Sequence, residues 1–330
     1  MKIITEGSTV FKAYTADIVS KQMPVFYNPD KEFDRSLSVK IVQALKPKNA
    51  IDLLAASGAR GLRLMNEAGV EVTFNDLNPQ AVKLIKSNLK LNKLSARVYN
   101  KNANQLLYDL NEFFDFIDLD PFGTPNPYLD ACIKHTSRHG VLAVTATDTA
   151  ALNGARSKAG LRKYHAVVSR CPFMKELGLR VLIKHVIEKG AEQELAMKPI
   201  LSHCTKHYYR AYFQKELGAG RCDSLLSEIK NLYYNPQTGY RGLEEQKGCI
   251  ALGPIYTGSI NSLKVDDDFV KSLNVEDEFP PYHYNTIELG FKQEPKMDLL
   301  LKKFKAIRSH YDKKVFKTKL SLAEMKKINF

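Results

Sequence analysis

Short apolar segments alternate with longer amphipathic segments between residues 50 and 150. Each apolar segment stops at small or polar residues, and the segment after it repeats hydrophobic residues at the spacing of a helix. Strands alternating with helices of this length predict βαβ units in a doubly wound, Rossmann-like α/β fold, with a parallel sheet covered on both faces. The predicted strands are 50–55, 70–74, 96–99, 116–119 and 141–145, and the predicted helices are 61–67, 79–92 and one that includes 106–107.

The pattern is different in the second half of the chain. Hydrophobic spacing predicts an amphipathic helix over 175–189 and strands at 200–201 and 208–213. Near the C-terminus, apolar residues on one face predict a basic helix over 297–309, and a Lys-rich stretch follows at 313–319.

Gly, Asn and Pro become frequent from Gly218 onward, which indicates a domain boundary near that residue. We therefore predict a larger domain over 1–218 and a smaller α+β domain over 219–330.

Lysine and arginine outnumber aspartate and glutamate by 49 to 36, which gives a net charge of +13. A surplus of this size attracts polyanions, and nucleic acid is the obvious cellular one. A generally lysine-rich surface would give the same composition, so charge by itself leaves both interpretations open.

The apolar segments are too short to cross a bilayer, and the N-terminus lacks the apolar core of a secretory signal. We therefore expect a cytoplasmic protein that does not associate with a membrane. No two cysteines form a C-x-x-C pair, so we expect no disulfide framework, no four-thiolate zinc site and mostly buried, reduced thiols. The cysteines are Cys132, Cys171, Cys204, Cys222 and Cys249.

The loop after the first predicted strand, residues 56–61, reads A-x-G-x-x-G, a glycine-poor relative of the dinucleotide fingerprint. A pyrophosphate needs close backbone approach, whereas S-adenosylmethionine carries no phosphate and tolerates a looser turn. Asp76 ends the second predicted strand, where a carboxylate accepts hydrogen bonds from ribose hydroxyls. Asn102 and Ala103, after the third, are placed to receive the adenine edge. The alternatives are a structural turn and, for Asp76, a cap on the following helix.

The segment Asp118–Pro125, D-L-D-P-F-G-T-P, lies at the carboxyl end of the fourth predicted strand. An exocyclic purine amine is a poor nucleophile, so it must be held in line with the methyl group while acceptors draw off its protons. Asp120 and the backbone beside the rigid Pro121 supply fixed acceptors, and Phe122 offers a face for stacking. The motif therefore predicts methylation of a nucleobase amine. A plain Pro- and Gly-rich turn would leave two aspartates at the end of an apolar strand unexplained.

With these residues, the chain resembles the archaeal and eukaryotic tRNA guanine-26 N2,N2-dimethyltransferase family. The resemblance implies a class I methyltransferase sheet with a C-terminal tRNA-binding domain, and one or two methyl transfers from S-adenosylmethionine to guanine N2. The strings that carry it are Val25–Pro29, Arg35–Ser38, Ala56–Arg63, Asn75–Asp76, Asp118–Pro125, Thr145–Asp148, Leu161–Tyr164, Ser309–Tyr311 and Phe316–Thr318.

The resemblance also implies roles for individual residues. Asp120 would be the catalytic carboxylate, and Phe26 and Phe122 would sandwich the target guanine, with Pro121 beside it. The cofactor contacts would be Arg35, Arg60, Asp76, Asn102 and Ala103.

The basic C-terminal stretch, with Lys314 and Lys317, would bind tRNA. We expect tRNA as the partner, no obligate protein partner and a monomer.

This sequence departs from the family pattern at three places. Asn102 stands where relatives often carry an acidic residue, and Arg35 lies between Asp34 and Ser36 where the family usually reads N-R-D. Some relatives carry a zinc site of two C-x-x-C pairs, which we expect to be absent here. The matching positions are Asn235, Thr238, Cys249 and Leu252.

Three other functions remain open from the residues themselves. A nicotinamide-dependent dehydrogenase could use the same sheet and Asp76, although Ala56 in place of the first glycine argues against a pyrophosphate. A non-catalytic basic RNA-binding protein would need the C-terminal lysines but not the motif around Asp120. A DNA or RNA adenine-amine methyltransferase would use a similar carboxylate, proline and aromatic arrangement.

Overall fold

The computed structural model describes residues 1–16, 22–291 and 293–328, and the chain divides into two compact units. The first unit comprises Met1–Pro121 and Pro127–Val144, and the second comprises Phe122–Asn126 and Thr145–Phe330. The predicted boundary near Gly218 lies inside the second unit and stays a prediction. Within the described residues, no helix combines the length and hydropathy needed to cross a membrane.

The first unit contains a β-hairpin, a run of parallel strands and the helices between them. The strands are β1 Lys2–Glu6, β2 Thr9–Ala13, β3 Asn49–Asp52, β4 Glu71–Asn75, β5 Val98–Tyr99, β6 Phe114–Leu119 and β7 Thr136–Ala146, whose last two residues belong to the second unit. The helices are α1 Glu32–Leu45, α2 Ala59–Ala68, α3 Pro79–Leu91, α4 Ala103–Leu110 and α5 Leu129–His135, with a 3-10 turn at Pro29–Lys31.

The second unit continues with helices α6 Thr149–Leu152, α7 Ser157–Tyr164, α8 Met174–Ala191, α9 Ala219–Ser227, α10 Asp268–Glu276, α11 Met297–Phe304 and α12 Leu322–Met325. Its strands are β8 Leu195–Thr205, β9 Tyr208–Leu217, β10 Ile229–Tyr234, β11 Arg241–Gly242, β12 Ile250–Tyr256, β13 Tyr284–Asn285, β14 Ile307–Arg308 and β15 Val315–Lys317.

The main sheet has seven strands in the order β5-β4-β3-β6-β7-β9-β8. Strands β3 to β7 pair in parallel, and β8 and β9 pair with each other antiparallel. The predicted doubly wound α/β sheet is therefore confirmed. The predicted first strand ends earlier than expected, at Asp52, where the chain turns out of the sheet.

Strand β2 of the N-terminal hairpin is held on α3 by two asparagine side chains. Asn88 accepts from the backbone N–H of Lys12 at 2.8 Å and donates to the carbonyl of Lys12 at 3.0 Å. Asn92 donates to the carbonyl of Val10 at 2.6 Å. In the two-stranded hairpin, β2 pairs with β1 along one edge only. These bonds satisfy backbone N–H and C=O groups of β2 along its other edge.

The C-terminal part of the second unit has its own apolar core, and two expectations about it need correction. The basic helix predicted over 297–309 ends at Phe304, because Lys305 takes the left-handed conformation with φ 46°, and Ile307 then enters β14. The Lys-rich stretch at 313–319 contains the buried strand β15. The buried core consists of Tyr284, Leu289, Leu300, Phe304, Phe316, Leu322 and Met325.

Candidate active site

The loop after β3 forms the tight turn that its glycines predict. It departs from the dinucleotide fingerprint at Ala56. Gly58 has φ 76° and caps α2, and Gly61 lies so close to the Phe74 ring that a Cβ would approach it to 2.3 Å. Ala56, where the dinucleotide fingerprint has its first glycine, is itself left-handed with φ 47°. Its backbone N–H donates to Asp76 Oδ2 at 2.7 Å, which ties the loop to the end of β4.

The Asp76 carboxylate is half-buried beyond the carboxyl end of β4. Its second oxygen, Oδ1, accepts from the backbone N–H of Asn78 at 2.8 Å. Burial raises the pKa of this carboxyl, and the two backbone hydrogen bonds oppose that rise. The helix cap itself is Asn78, whose side chain accepts from the N–H of Gln80. Asp76 is therefore an oriented acceptor beside the loop, and its contact with ribose hydroxyls stays a prediction.

Asn102 caps the next helix of the same edge. Its side-chain oxygen accepts from the N–H groups of Asn104 at 3.0 Å and Gln105 at 3.3 Å, and the residue is exposed. Ala103 begins α4 and is buried. The amide group of Asn102 is thus fixed at the end of β5, beside the end of β4 in the sheet.

Asp120 follows β6 and carries a cation on each carboxylate oxygen. Lys31 Nζ donates to Oδ1 at 2.5 Å and Arg60 Nη2 donates to Oδ2 at 3.0 Å. The 3-10 turn at Pro29–Lys31 brings the lysine, and α2 brings the arginine. The Asp120 side chain keeps 19% of its surface exposed, whereas the side chains of both cations are at least 90% buried. The carboxylate is therefore rigidly oriented yet accessible.

Arg60 sits at the centre of a carboxylate cluster. It donates to Asp34 Oδ2 at 2.6 Å and, through Nε, to Asp118 Oδ2 at 2.7 Å, in addition to Asp120. Buried Asp52 adjoins this cluster. Desolvation and the nearby Asp118 charge raise the pKa of Asp52 to about 7, against the attraction of Arg60. Arg60 thus orients Asp120 and neutralises part of the surrounding charge.

Arg35 is buried and faces the N-terminal hairpin. Its Nε and Nη2 donate to the two oxygens of Glu6 at 2.7 and 2.6 Å, and Nη2 also donates to the carbonyl of Asn28 at 3.1 Å. The Tyr27 hydroxyl donates to Glu6 as well, at 2.7 Å. This settles the pairing left open by the altered N-R-D string, and it places the guanidinium in a structural ion pair.

Two phenylalanines were predicted to contact the base. Phe26 is partly exposed between the buried side chains of Val25 and Tyr27, so the anchoring of Tyr27 fixes the backbone beside it. Phe122 belongs to the second unit and is 49% exposed. Pro121, the last residue before it, is buried.

Comparison with known proteins decides the family. The family model described as N2,N2-dimethylguanosine tRNA methyltransferase matches residues 2–284. The chain belongs to this family. The resemblance inferred from the sequence is thereby confirmed.

Members of the family from several archaea align along most of the chain. A tRNA (guanine(26)-N(2))-dimethyltransferase of Methanococcus maripaludis strain C6 is 40% identical over 290 residues, covering 82% of this chain and 75% of the relative. One from Methanosarcina acetivorans is 36% identical over 357 residues, covering 92% and 91%. The solved structure of Trm1 from Pyrococcus horikoshii with S-adenosyl-L-methionine matches with a TM-score of 0.86 at 29% identity, covering 98% of both chains.

The two lysines predicted to bind tRNA in this family member have different surroundings. Lys314 is exposed and its Nζ donates to Glu294 at 3.1 Å. Lys317 is 2% exposed, and its Nζ donates to the buried Glu176 at 2.7 Å. The structure therefore corrects the assignment of Lys317 to a phosphate contact, because its ammonium does not reach the surface.

Within the described parts of the chain, no group of three or more His, Cys, Asp or Glu side chains is arranged to hold a metal ion. Asn235, one of the positions that the resemblance matched to a zinc-binding cysteine, closes a turn. Its side-chain oxygen accepts from the backbone N–H of Gln237 at 2.9 Å and of Thr238 at 3.1 Å.

Sequence reasoning gave no role to Lys31 or Glu6, although both support the site. Lys31 lies 89 residues from its partner Asp120, and Glu6 lies 29 residues from Arg35. No local pattern marks such long-range pairs. The one available indication was Pro29, which favours a helical turn and thereby places Lys31 at its end.

Proposed function

We propose that the protein transfers methyl groups from S-adenosylmethionine to the N2 amine of guanine 26 in tRNA, with Asp120 as the catalytic carboxylate. Membership of the family supports the activity. The single observation that supports the residue assignment is the Asp120 carboxylate, held at the end of β6 by Lys31 and Arg60 while part of its surface stays open.

The residues at the carboxyl ends of β3, β4 and β5 fit an adenosine-bearing cofactor. Asp76 and Asn102 offer oriented carboxylate and amide groups, the donor and acceptor types that ribose hydroxyls and an adenine edge require. The left-handed Ala56 leaves a methyl group in the loop where a pyrophosphate would need bare backbone. This arrangement favours a ligand without phosphate. When bound, S-adenosylmethionine supplies an electrophilic methyl group on a sulfonium.

The remaining chemistry belongs to Asp120. Lys31 and Arg60 each hold one oxygen of this carboxylate, and its exposed surface lets it accept an N–H of the guanine amine. As the new N–C bond forms and the S–C bond breaks, the amine nitrogen becomes cationic and strongly acidic. Its proton then passes to Asp120.

Arg35 supports Phe26 in this proposal, and its predicted contact with the cofactor stays part of the proposal. Its pair with Glu6 fixes Tyr27 and Asn28, and the backbone between Val25 and Tyr27 presents Phe26 to the base. Phe122 supplies the other stacking face. The net charge of +13 and exposed lysines such as Lys314 attract the tRNA backbone.

We further propose that the protein works on tRNA as a cytoplasmic monomer without an obligate protein partner. Sedimentation of the active protein, alone and with tRNA, checks this, and activity confined to a dimer would contradict it.

The decisive experiment replaces Asp120 by Asn, which keeps the shape of the side chain and removes its charge. Methyl transfer to unmodified tRNA should fall by at least about 100-fold, the usual loss when a positioned proton acceptor is removed. Calorimetric binding of S-adenosylmethionine should change little. Asp115→Asn, at an aspartate of β6 that bonds to the Ser137 hydroxyl, is the matched control and should keep full activity. Full turnover by the Asp120 variant contradicts the assignment.

A further inference from the structure

The loop of residues 122–126, which carries Phe122, is fixed at its centre by a reciprocal pair of hydrogen bonds. The N–H of Gly123 donates to Thr147 Oγ1 at 2.7 Å, and the N–H of Thr147 donates to the carbonyl of Gly123 at 2.9 Å. Gly123 has φ 83°, with no atom within 4 Å of the position that a Cβ would take. Glycine is needed here for its backbone conformation and not for space.

A buried hydroxyl chain holds the same loop one residue later. The Tyr164 hydroxyl donates to Asp148 Oδ1 at 2.7 Å and lies 3.0 Å from Thr124 Oγ1, whose proton it accepts. Tyr164 is fully buried, and burial together with Asp148 holds its pKa well above the usual value, so it stays a donor. Lys163 Nζ lies 3.1 Å from Asp148 Oδ2, so each oxygen of this carboxylate has a partner.

The end of the loop is tied to the same helix. Asn126 donates through Nδ2 to the backbone carbonyl of Lys163 at 2.6 Å. Three of the five loop residues, Gly123, Thr124 and Asn126, are therefore bound by Thr147, Tyr164 and Lys163. The Phe122 ring at the head of this fixed loop is nevertheless 49% exposed. A loop held so firmly under an exposed aromatic ring restricts the directions in which that ring can point.

We propose that Asp148 and Tyr164 are positioning residues that fix Phe122 for stacking on the target guanine. They act through the backbone of the loop and touch neither cofactor nor base. This assignment gives a role to two strings, T-A-T-D at 145–148 and L-R-K-Y at 161–164, that the reaction itself does not use. The proposal rests on the proposed function, since Phe122 must take part in guanine binding for its position to matter.

The first test is Tyr164→Phe, which removes only the hydroxyl. The variant should lose about tenfold in kcat/KM for tRNA, as expected when a stacking partner is misplaced by a fraction of an ångström. The KM for S-adenosylmethionine should not change. Tyr209→Phe is the control, because it also removes a buried hydroxyl of the same unit, one that bonds to Asn153. It should match Tyr164→Phe in its effect on the melting temperature and leave kcat/KM unchanged.

A double-mutant cycle with Phe122→Leu separates this proposal from the proposed function. If Tyr164 acts through Phe122, Tyr164→Phe should cost nothing further once Phe122 is Leu. Additive losses would overturn the positioning role while leaving Phe122 in the site. If Phe122→Leu alone has no effect, the stacking role in the proposed function fails instead.

Asp148 offers an independent check by conservative rescue. Asp148→Asn keeps the oxygen that accepts from Tyr164 and should retain most of the activity, whereas Asp148→Ala should match Tyr164→Phe. Equal losses in the Asn and Ala variants would show that charge is what matters, and would overturn the hydroxyl chain as the positioning device.

Discussion

Lys314 and Lys317 show how far the role of a charged residue depends on its partners. Lys314 extends from the surface and donates to Glu294. Lys317 lies in β15, and its ammonium donates to the carboxylate of Glu176, which is 141 residues away in the sequence. Composition and local pattern treat the two alike, since both belong to one Lys-rich stretch. The buried partner Glu176 follows from tertiary structure only, so the phosphate role of Lys317 could not have been excluded from the sequence.

This contrast predicts opposite outcomes for the same substitution. Lys317→Met should lower the free energy of unfolding by about 3 kcal/mol, because it leaves the buried Glu176 charge with fewer partners. Lys314→Met breaks an exposed pair and should leave stability unchanged. Urea titration of both variants at pH 7 measures the difference, and equal midpoints would mean that Lys317 is not held as the structure has it.

Glu176 itself makes the pair sensitive to acid. Burial opposes its ionisation, but the Lys317 ammonium, the hydrogen bond from His283 and the Arg180 charge outweigh it and hold the pKa of this carboxyl far below its usual value. Stability gained this way is complete above about pH 4.5 and is lost as the pH falls below it. The loss should be smaller in Lys317→Met.

At the level of elements, the strands of the parallel sheet could be predicted from the sequence. The residues of other elements that bond to the aspartates at the strand ends could not. Strands β3, β4 and β6 and the second half of β7 appear as apolar segments because most of their residues are buried. Helix α11 was predicted five residues too long, because Ile307 continues the apolar spacing although it belongs to β14. Asp76 and Asp120 could be found because they end strands, whereas Lys31 reaches Asp120 from another element altogether.

Helix α2 illustrates the packing that positions Arg60. An alanine at Gly61 would place its Cβ 2.3 Å from the Phe74 ring and 3.1 Å from Asp52 Oδ2. Gly61→Ala should therefore lower stability by about 1–3 kcal/mol. Gly220→Ala, in α9, meets open space and should be neutral or stabilising by about 0.5 kcal/mol. Thermal unfolding compares the two, and a harmless Gly61→Ala would contradict the close approach of α2 to β4.

On the scale of the whole molecule, pH acts on stability in opposite directions at two buried sites. Burial lowers the pKa of His185 to about 3, so the folded protein excludes a proton that the unfolded chain binds below pH 6.5. Stability from this group is therefore lost as the pH falls from 6.5 towards 3. Asp52 works the other way: with a folded pKa of about 7, it adds stability as the pH falls from 7 towards 3.8.

Replacing His185 isolates its part of this balance. In His185→Phe, the unfolding free energy should fall less steeply with acid than in the unaltered protein between pH 6.5 and 4.5. The slopes of the two curves of unfolding free energy against pH should differ by up to about 1.4 kcal/mol per pH unit. Urea unfolding at several pH values in this window provides the measurement, and parallel curves would show that the imidazole titrates freely in the folded state.

The carboxylate cluster around Arg60 has a consequence for the turnover of ligands. Among the described residues, the carboxylates of Asp34, Asp118 and Asp120 gather round the cations Arg60 and Lys31 with Asp52 beside them, so this corner of a positively charged protein is locally acidic. Such a field attracts cations more strongly than neutral molecules. In the proposed reaction the methyl donor arrives as a cation and is left uncharged once its methyl group has gone. The same aspartates that orient the amine therefore attract the spent, uncharged donor less than the fresh, cationic one. This difference favours the exchange of one for the other, which a second methylation of the same nitrogen requires.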